Sequence, residues 1–262
     1  MRVKPSNFLV FKELLWTDLH ILKGTVLDQT INLMIWISTM TLVNSYLMPS
    51  FGLSAGYSVF ILAGLCASAG LFGVFPNVVA MISDFEGDQI INYYLTLPIP
   101  SWMIFLRLIF YYSLNFGMLS ILVLPIGQLL IWNQFNILNV ALGKFFLIFV
   151  LSNLFYGAFT LWVASRVKNM TKIGNVWMRF VYPVWFLGGF QFSWAVLASK
   201  WPYLAWLSFI NPMTYIMEGM RAAVLGQQDF LNFWLCIGML SIFIVLCSWR
   251  GIVLLKKRLD FV

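Results

Sequence analysis

Apolar residues fall into long stretches along this chain, and short polar segments separate them. A helix needs about 20 mainly apolar residues to cross a hydrocarbon core about 30 Å thick. The pattern therefore predicts an all-α membrane protein whose residues 1–262 form a single transmembrane domain with six transmembrane helices. The predicted spans are residues 26–48, 57–83, 102–124 (extending as far as 131), 138–165, 176–197 and 233–255.

The segment before the first span, residues 5–24, mixes apolar and charged positions. Its apolar residues recur at steps of three or four, which places them on one face of a helix, whereas Lys12 and Asp18 lie off that face. The pattern predicts an N-terminal amphipathic helix lying in the membrane interface. A cytoplasmic helix packed on the rest of the protein is the alternative. The apolar face consists of Phe8, Phe11, Leu15, Leu19 and Leu22.

The segment between the last two spans, residues 198–232, contains "INPMTYIMEGMRAAVLG". Asn211 suits a helix N-cap, Pro212 suits the first helical position, and Gly226 suits the residue just past the end. A helix of about 14 residues is roughly 21 Å long, too short to cross a membrane. We therefore predict a re-entrant helix on the outer side, with an ordinary surface helix as the alternative. Glu218 and Arg221, three residues apart, can pair on one face of it.

Composition and charge agree with a membrane protein, because 61% of the residues are hydrophobic and only 10% are charged. The net charge of +7 does not indicate a nucleic-acid partner, since Lys and Arg of membrane proteins collect in cytoplasmic segments. Here they lie before the first span, between spans four and five, and at the C-terminus, whereas residues 49–56 and 132–137 are uncharged. Both termini are therefore predicted to be cytoplasmic. A seventh span over 203–225 would place the C-terminal basic run outside.

Candidate catalytic chemistry is sparse. The sequence has no nucleotide-binding loop, and its single histidine, His20, lies in the N-terminal segment. The three cysteines lie in apolar spans without metal-type spacing, so we interpret them as packing residues. We also see no internal repeat of the kind common in secondary transporters. These observations favour a membrane subunit that takes its energy from a partner and dimerises.

Two segments fit such docking. Residues 84–98 form a cytoplasmic segment with acids at one end and prolines at the other, which predicts a short helix that fits a groove on a soluble partner; an ordinary loop is the alternative. Residues 63–73, "AGLCASAGLFG", contain small residues at spacings of four. Such pairs allow close contact between helices, either between two copies or within one chain.

At these positions the sequence resembles the ABC-2 type permeases, the transmembrane subunits of bacterial ABC exporters. "GDQIINYYLTLPIP" is similar to their cytoplasmic motif before span three, and "NPMTYIMEGMR" followed by "LG" is similar to their signature before the last span. "FLGGFQFS" resembles the Gly-containing end of their fifth span. "EGDQI" departs from the basic residue that many members have near this glycine.

The resemblance implies a homodimer, or a pseudo-dimer with a related permease, bound to two copies of an ABC ATPase subunit. ATP and Mg are expected on that subunit, and no cofactor or metal is expected on this chain. Residues 5–23 would form a second contact with the ATPase. The coupling residues implied are Asp84, Glu86, Gly87, Asp88, Ile91, Tyr94, Leu95 and Pro98. The outer gate implied consists of Asn211, Pro212, Tyr215, Glu218 and Arg221.

The resemblance also places the substrate path along spans one, two and five, in a bacterial inner membrane. The aromatic residues there suit a lipid, a glycolipid or a hydrophobic drug, although many aromatics of this chain must face lipid instead. They are Trp36, Phe72, Phe75, Trp177, Tyr182, Trp185 and Phe186.

Two other functions stay open at this point. A membrane-embedded enzyme that modifies lipids would need a cluster of acids or histidines, and only Asp84, Glu86 and Asp88 come close to one. The other function is that of a channel or carrier acting alone.

Overall fold

The computed structural model describes residues 7–52, 54 and 56–259. Regular structure within these residues is entirely helical. Five helices within the described residues have the length and apolar composition to cross a membrane, one fewer than the sequence predicts. They are Val26–Ser50, Tyr57–Glu86, Ser101–Leu130, Leu142–Arg166 and Phe233–Leu259.

The main helices follow one another with short connections. In chain order they are α1 (Asn7–Leu42), α2 (Tyr57–Glu86), α3 (Ile90–Leu95), α4 (Ser101–Ser120), α5 (Val123–Leu130), α6 (Leu142–Arg166), α7 (Tyr182–Leu187), α8 (Trp194–Lys200), α9 (Pro202–Ser208), α10 (Pro212–Val224) and α11 (Phe233–Leu259). A π-helical turn, Val43–Leu47, and a helical turn, Met48–Ser50, extend α1. The helical turn Gly174–Val176 and the π-helical turn Trp177–Val181 lead into α7.

α1 differs from the sequence prediction, because one unbroken helix replaces the predicted interface helix 5–24 and the first part of span one. Residues 5 and 6 of that prediction lie outside the described residues. Gly24 lowers helix stability by only about 1 kcal/mol, and an unbroken helix curves gently rather than turning into the membrane plane. Asp18 and Leu22 are buried. Phe8 and Trp16 of the same segment are exposed, so its position in the membrane interface stays a prediction.

Four of the other predicted spans agree with the structure to within a few residues at most boundaries. α2, α6 and α11 correspond to spans two, four and six. Span three continues to Leu130 as the two helices α4 and α5, with a turn between them. Pro125 explains the turn, since proline lacks the N–H that would bond to the carbonyl four residues earlier.

The predicted fifth span, residues 176–197, is wrong as a single helix, because α7 ends at Leu187. Gly189 follows with a φ of +85°, a backbone conformation that glycine adopts readily. Gly188 lies against α10, where a Cβ atom would collide with Met213. Ser193 then caps α8, its side chain accepting a hydrogen bond from the Val196 N–H. The close approach of α7 to α10 thus depends on this glycine pair.

Burial separates central helices from peripheral ones. The most apolar 18-residue stretch is 72% buried in α2 and 67% buried in α6, but only 11% buried in α11 and in span one. α2 and α6 therefore form the centre of the bundle. Apolar side chains of α11, such as Val245 and Trp249, are exposed and suit contact with lipid.

The small residues of segment 63–73 pack within the chain. Ala63 and Ala67 are buried in α2, and the Tyr156 hydroxyl of α6 donates to the Ala67 carbonyl. Cβ atoms added at Gly70 and Gly73 would collide with the rings of Tyr156 and Phe116. Of the two roles predicted for this segment, the contact within one chain is the one observed.

Gly157 offers a direct test of this close packing. A Cβ atom at this position of α6 would collide with the Ile109 carbonyl oxygen of α4 and lie 2.5 Å from Ser113 Oγ. Gly157→Ala should lower the free energy of unfolding by about 1–3 kcal/mol, as overpacking does in other cores. Gly143→Ala, in the same helix with nothing within 4 Å, is the matched control and should be neutral or stabilising. Thermal unfolding of the detergent-solubilised variants measures both, and equal transition temperatures would contradict the packing.

Candidate functional site

α10 is buried along its length, from Met213 to Val224. Buried polar side chains on it rule out the predicted alternative of an ordinary surface helix. Its ends agree with the sequence prediction: Asn211 Oδ1 accepts from the Met213 N–H at 3.0 Å, Pro212 occupies the first turn, and Gly226 has a φ of +101° just past the end. The local capping signals therefore define this helix correctly.

Glu218 and Arg221 form an ion pair inside the protein. Arg221 Nη1 lies 3.6 Å from Glu218 Oε1, and both side chains are almost completely buried. The Arg221 guanidinium also lies 3.6 Å from the centroid of the Phe60 ring on α2. A buried charge needs a partner and further hydrogen bonds to be tolerated. This pair has both.

The hydrogen bonds of the pair hold the break in the predicted fifth span. Arg221 donates to the carbonyl oxygens of Phe190, at 2.8 Å, and Phe192, at 3.1 Å. Glu218 accepts from the Trp194 N–H at 2.9 Å, at the start of α8. Its second oxygen accepts from the Leu231 N–H at 3.1 Å, just before α11. The two charges thus supply partners to backbone groups that no helix satisfies.

The remaining residues predicted for the outer gate, Asn211, Pro212 and Tyr215, lie at the N-terminal end of α10. The Asn211 side chain donates to the Val184 carbonyl at 2.8 Å, which is one of the last four carbonyls of α7 and lacks a partner within its helix. The Tyr215 hydroxyl donates to the Phe209 carbonyl at 2.9 Å. Four of the five predicted residues therefore bond to backbone groups that flank α10 or belong to neighbouring segments, and Pro212 occupies the first turn of the helix. Their role as a gate stays a prediction.

The predicted coupling segment folds into the end of α2, a tight turn and α3. Gln89 turns the chain with a φ of +53°, and Asp84 accepts from the N–H groups of Ile90, at 2.8 Å, and Ile91, at 3.0 Å. Free N–H groups at a helix start favour such an acidic partner. Asp84 therefore orients α3 against the end of α2.

The side chains of this segment divide between inside and outside. Ile91 is buried and Tyr94 and Leu95 are half-buried, so these three predicted coupling residues face the protein. Four other predicted coupling residues are exposed: Glu86, Gly87, Asp88 and Pro98. The sequence prediction missed the two apolar side chains that α3 presents outward, Ile90 (47% exposed) and Tyr93 (65% exposed).

A second ion pair joins α1 to α4 beside the coupling segment. Arg107 Nε donates to Asp18 Oδ2 at 2.7 Å, and Nη2 donates to Oδ1 at 2.5 Å. The ion pair is bidentate, and both side chains are buried. The Tyr94 ring of α3 lies 4.1 Å from the guanidinium. The sequence pattern places Asp18 off the apolar face of its helix, whereas the structure buries it against Arg107. They are 89 residues apart, so no local pattern relates them.

Arg258 joins the end of α11 to the same region. Its guanidinium donates to the carbonyl oxygens of Val167, at 2.5 Å, and Lys168, at 2.8 Å, at the end of α6. It also lies 4.8 Å from the Phe85 ring, and Glu86 accepts from the Met170 N–H at 3.0 Å. Arginine is well suited to this position because carbonyls at a helix C-terminus favour a cation.

A cavity of about 840 Å³ lies between α1, α2, α4 and the segment leading into α7. Its lining includes five of the seven residues predicted for the substrate path. Phe75 lies beside it, with its ring centroid 5.6 Å from that of Trp177, and Phe186 stacks on Tyr182 at 5.6 Å. The lining residues are Gln29, Asn32, Leu33, Trp36, Met40, Ala69, Phe72, Gly73, Pro76, Asn77, Asn115, Phe116, Leu119, Trp177, Tyr182 and Trp185.

The acids of the coupling segment do not assemble into a metal centre. Both oxygens of Asp84 accept backbone N–H groups, and Glu86 bonds to Met170. Within residues 7–52, 54 and 56–259, no group of three or more His, Cys, Asp or Glu side chains could hold a metal ion.

Several apolar helices around a buried centre define the chain as a helical multi-pass membrane protein. The family model described as "ABC-2 type transporter" matches residues 22–225, well over half of the chain. The chain therefore belongs to the ABC-2 type transporter family and is the permease component of an ABC-type transporter. Permeases of this family associate with an ABC ATPase subunit. No match is found among curated proteins.

Removing Arg221 tests the ion pair between Glu218 and Arg221. Arg221→Leu leaves the carbonyls of Phe190 and Phe192 without their donor, and leaves Glu218 buried without its counter-charge. We expect a loss of about 3–5 kcal/mol in the free energy of unfolding. Arg250→Leu, at an exposed arginine of α11, is the matched control and should cost little. Denaturant titration followed by circular dichroism measures the difference, and similar losses in both variants would contradict the proposed network.

A double-mutant cycle tests the ion pair between Asp18 and Arg107. Arg107→Met should cost about 3–5 kcal/mol, because it leaves the Asp18 carboxylate buried and unpaired. Adding Asp18→Leu removes that charge as well, so the double variant should be more stable than Arg107→Met alone. Unfolding free energies of the two single variants, the double variant and the parent protein give the coupling energy. Additive losses would show that the two charges do not act together.

Proposed function

We propose that this permease is the membrane subunit of an ATP-driven ABC-2 type exporter in a bacterial inner membrane. It acts as a homodimer bound to two copies of the ATPase subunit, on which ATP and Mg bind. The observation that carries the proposal is the coupling segment, residues 84–98. It presents exposed apolar side chains while Asp84 and Tyr94 attach it to the membrane helices.

The arrangement of basic residues supports cytoplasmic termini. Lys256, Lys257 and Arg258 end α11, and Arg258 bonds to the connection after α6 beside the coupling segment. The last turn of α11, this connection and the coupling segment therefore lie at one end of the bundle. Basic residues concentrate on the cytoplasmic side of membrane proteins, so this end is assigned to the cytoplasm. Arg2 and Lys4, which add to the basic N-terminal segment, lie outside the described residues.

Motion of the ATPase would reach the membrane helices by two routes. In one, α3 shifts the Tyr94 ring against Arg107, which is bonded to Asp18 on α1. In the other, α2 carries the displacement directly, because the coupling segment begins at its last turn. The far part of α2 holds Phe60 against Arg221. Both routes connect the coupling segment to helices that line the cavity.

The cavity and the cluster around α10 supply the remaining parts of an exporter. An apolar, aromatic-lined cavity suits an amphipathic or hydrophobic substrate such as a lipid, a glycolipid or a drug. The outer gate consists of α10, as a helix that re-enters the membrane from outside, and the segments that Glu218 and Arg221 hold. A lipid-modifying enzyme would need catalytic groups that the described residues do not bring together, and a channel acting alone would need no docking segment.

Removing Tyr93 tests the docking surface. The tagged permease is purified in mild detergent from its native host, the co-purified ATPase is identified by its nucleotide-binding loop, and ATP hydrolysis is measured. Tyr93→Ala should lower both the amount of bound ATPase and the hydrolysis at least tenfold, because an aromatic hot spot of an interface contributes about 2 kcal/mol or more and about 1.4 kcal/mol is tenfold.

Tyr203→Ala is the matched control, since Tyr203 of α9 is also exposed and lies outside the coupling segment. It should leave binding and hydrolysis unchanged. If the parent permease carries no ATPase, the proposal fails as a whole. If Tyr93→Ala and Tyr203→Ala bind the ATPase equally well, the docking surface lies elsewhere.

A further inference from the structure

The cavity of about 840 Å³ has a polar end and an apolar end. On α1, Gln29 and Asn32 line it first, and Trp36 and Met40 line it further along the helix. Eleven residues at 1.5 Å each place about 16 Å between Gln29 and Met40. On α1, therefore, the amide side chains come before the apolar ones.

The same order holds on the two neighbouring helices. α2 runs the opposite way and reaches Asn77 after Phe72, and α4 begins beside α3 and presents Asn115 before Leu119. The four amides therefore lie at the end of the cavity nearer the coupling segment. Trp36, Met40 and Leu119 line the part further away, whereas Trp177 lies against Phe75, two residues from Asn77.

Polar atoms of the lining lack hydrogen-bond partners. Gln29 Oε1, Asn115 Oδ1 and Trp185 Nε1 are buried and make no hydrogen bond within the described part of the chain. Asn115 is 6% exposed and Trp185 is 8% exposed, so both side chains lie almost entirely inside the protein. Buried polar groups in native proteins nearly always have a partner. A molecule in the cavity is the natural source of the missing donors and acceptor.

The lining contains no Lys, Arg, Asp, Glu or His among its described residues. An ionised headgroup in this cavity would have no counter-charge, and burying an unpaired ion is costly. An uncharged headgroup with hydroxyl or carbonyl groups would satisfy Gln29 and Asn115 without that cost, because each amide offers both a donor and an acceptor.

We infer that this cavity binds amphiphiles with an uncharged, hydroxylated headgroup. The amides of Gln29 and Asn115 recognise the headgroup, and the part of the cavity lined by Trp36 and Met40 holds the apolar chain. The inference rests on the proposed function for its meaning as a substrate site, but binding itself needs no ATPase. Amphiphiles with a carboxylate or an ammonium group on the same chain are excluded. Headgroup charge is thus the property by which the site selects.

Photolabelling tests the inference on the full-length permease in phosphatidylcholine nanodiscs. The probe is a monoacylglycerol with a diazirine in its acyl chain, and mass spectrometry maps the labelled residues. We expect labels on the cavity aromatics, such as Trp36 and Phe72. Unlabelled monoacylglycerol should compete at least tenfold better than the fatty acid or the alkyl-trimethylammonium of the same chain length.

Variants of the amides separate recognition from partitioning into lipid. Asn115→Leu should reduce labelling of the cavity about tenfold, which corresponds to about 1.4 kcal/mol. Gln29→Leu, at a less buried position, should act in the same direction and covers the case in which Asn115→Leu does not fold. Asn44→Leu is the matched control. Asn44 lies in the turn that extends α1, bonds to the Met40 carbonyl and does not line the cavity.

Three outcomes would overturn the inference: labels confined to lipid-facing residues of α11, equal competition by the charged amphiphiles, or labelling that neither amide variant reduces. These outcomes are independent of the ATPase experiment. Selective labelling in a permease that binds no ATPase would keep the binding site and refute the exporter. A permease that binds the ATPase but shows no selective labelling would refute the binding site and leave the exporter supported.

Discussion

Where a helix ends inside a membrane bundle, each free backbone N–H and C=O group needs a partner in the protein. This constraint explains the half of the structure around α10. α7 ends at Leu187, and backbone groups of the following residues bond to side chains of α10. Arg221 donates to two carbonyls and Glu218 accepts from two N–H groups, so one ion pair satisfies both kinds of backbone group. The charges are therefore structural partners of an irregular segment as well as of each other.

The opposite end of the bundle, around the coupling segment, follows the same physical rule with different residues. Asp84 accepts from the free N–H groups at the start of α3, and Arg258 donates to the free carbonyl of Val167 at the end of α6. The first contact attaches α3 to α2, and the second attaches the connection after α6 to α11. α2 connects the two ends, since its 30 residues span about 45 Å. A displacement of the coupling segment can thus reach Arg221 through one continuous helix. No flexible connection has to transmit it.

Local signals allowed much of this arrangement to be predicted from the sequence. The ends of α10 followed from Asn211, Pro212 and Gly226, because capping depends on neighbouring residues alone. The break at Gly189 was missed, since the apolar residues that continue to Leu197 give the same hydropathy as a helix. The pairing of Asp18 with Arg107 could not be predicted either, because it depends on how α1 and α4 pack. The unpaired amides of the cavity are likewise visible only once four segments are brought together.

Burial of the ion pair limits how an outer gate can move. α10 has no exposed face from Met213 to Val224, so sliding it alone would separate Arg221 from Phe190 and Phe192 and leave charges buried without partners. Such a separation costs several kcal/mol for each ion. A movement that keeps these bonds avoids that cost, which requires α10 and residues 188–194 to shift together as one body. α7 and α9 are hydrogen-bonded to this unit as well, through Asn211 to the Val184 carbonyl and through Thr214 to the Ser208 carbonyl, so they would move with it. The moving surface then lies along the exposed apolar faces of α7 and α9, where no directional bonds have to break.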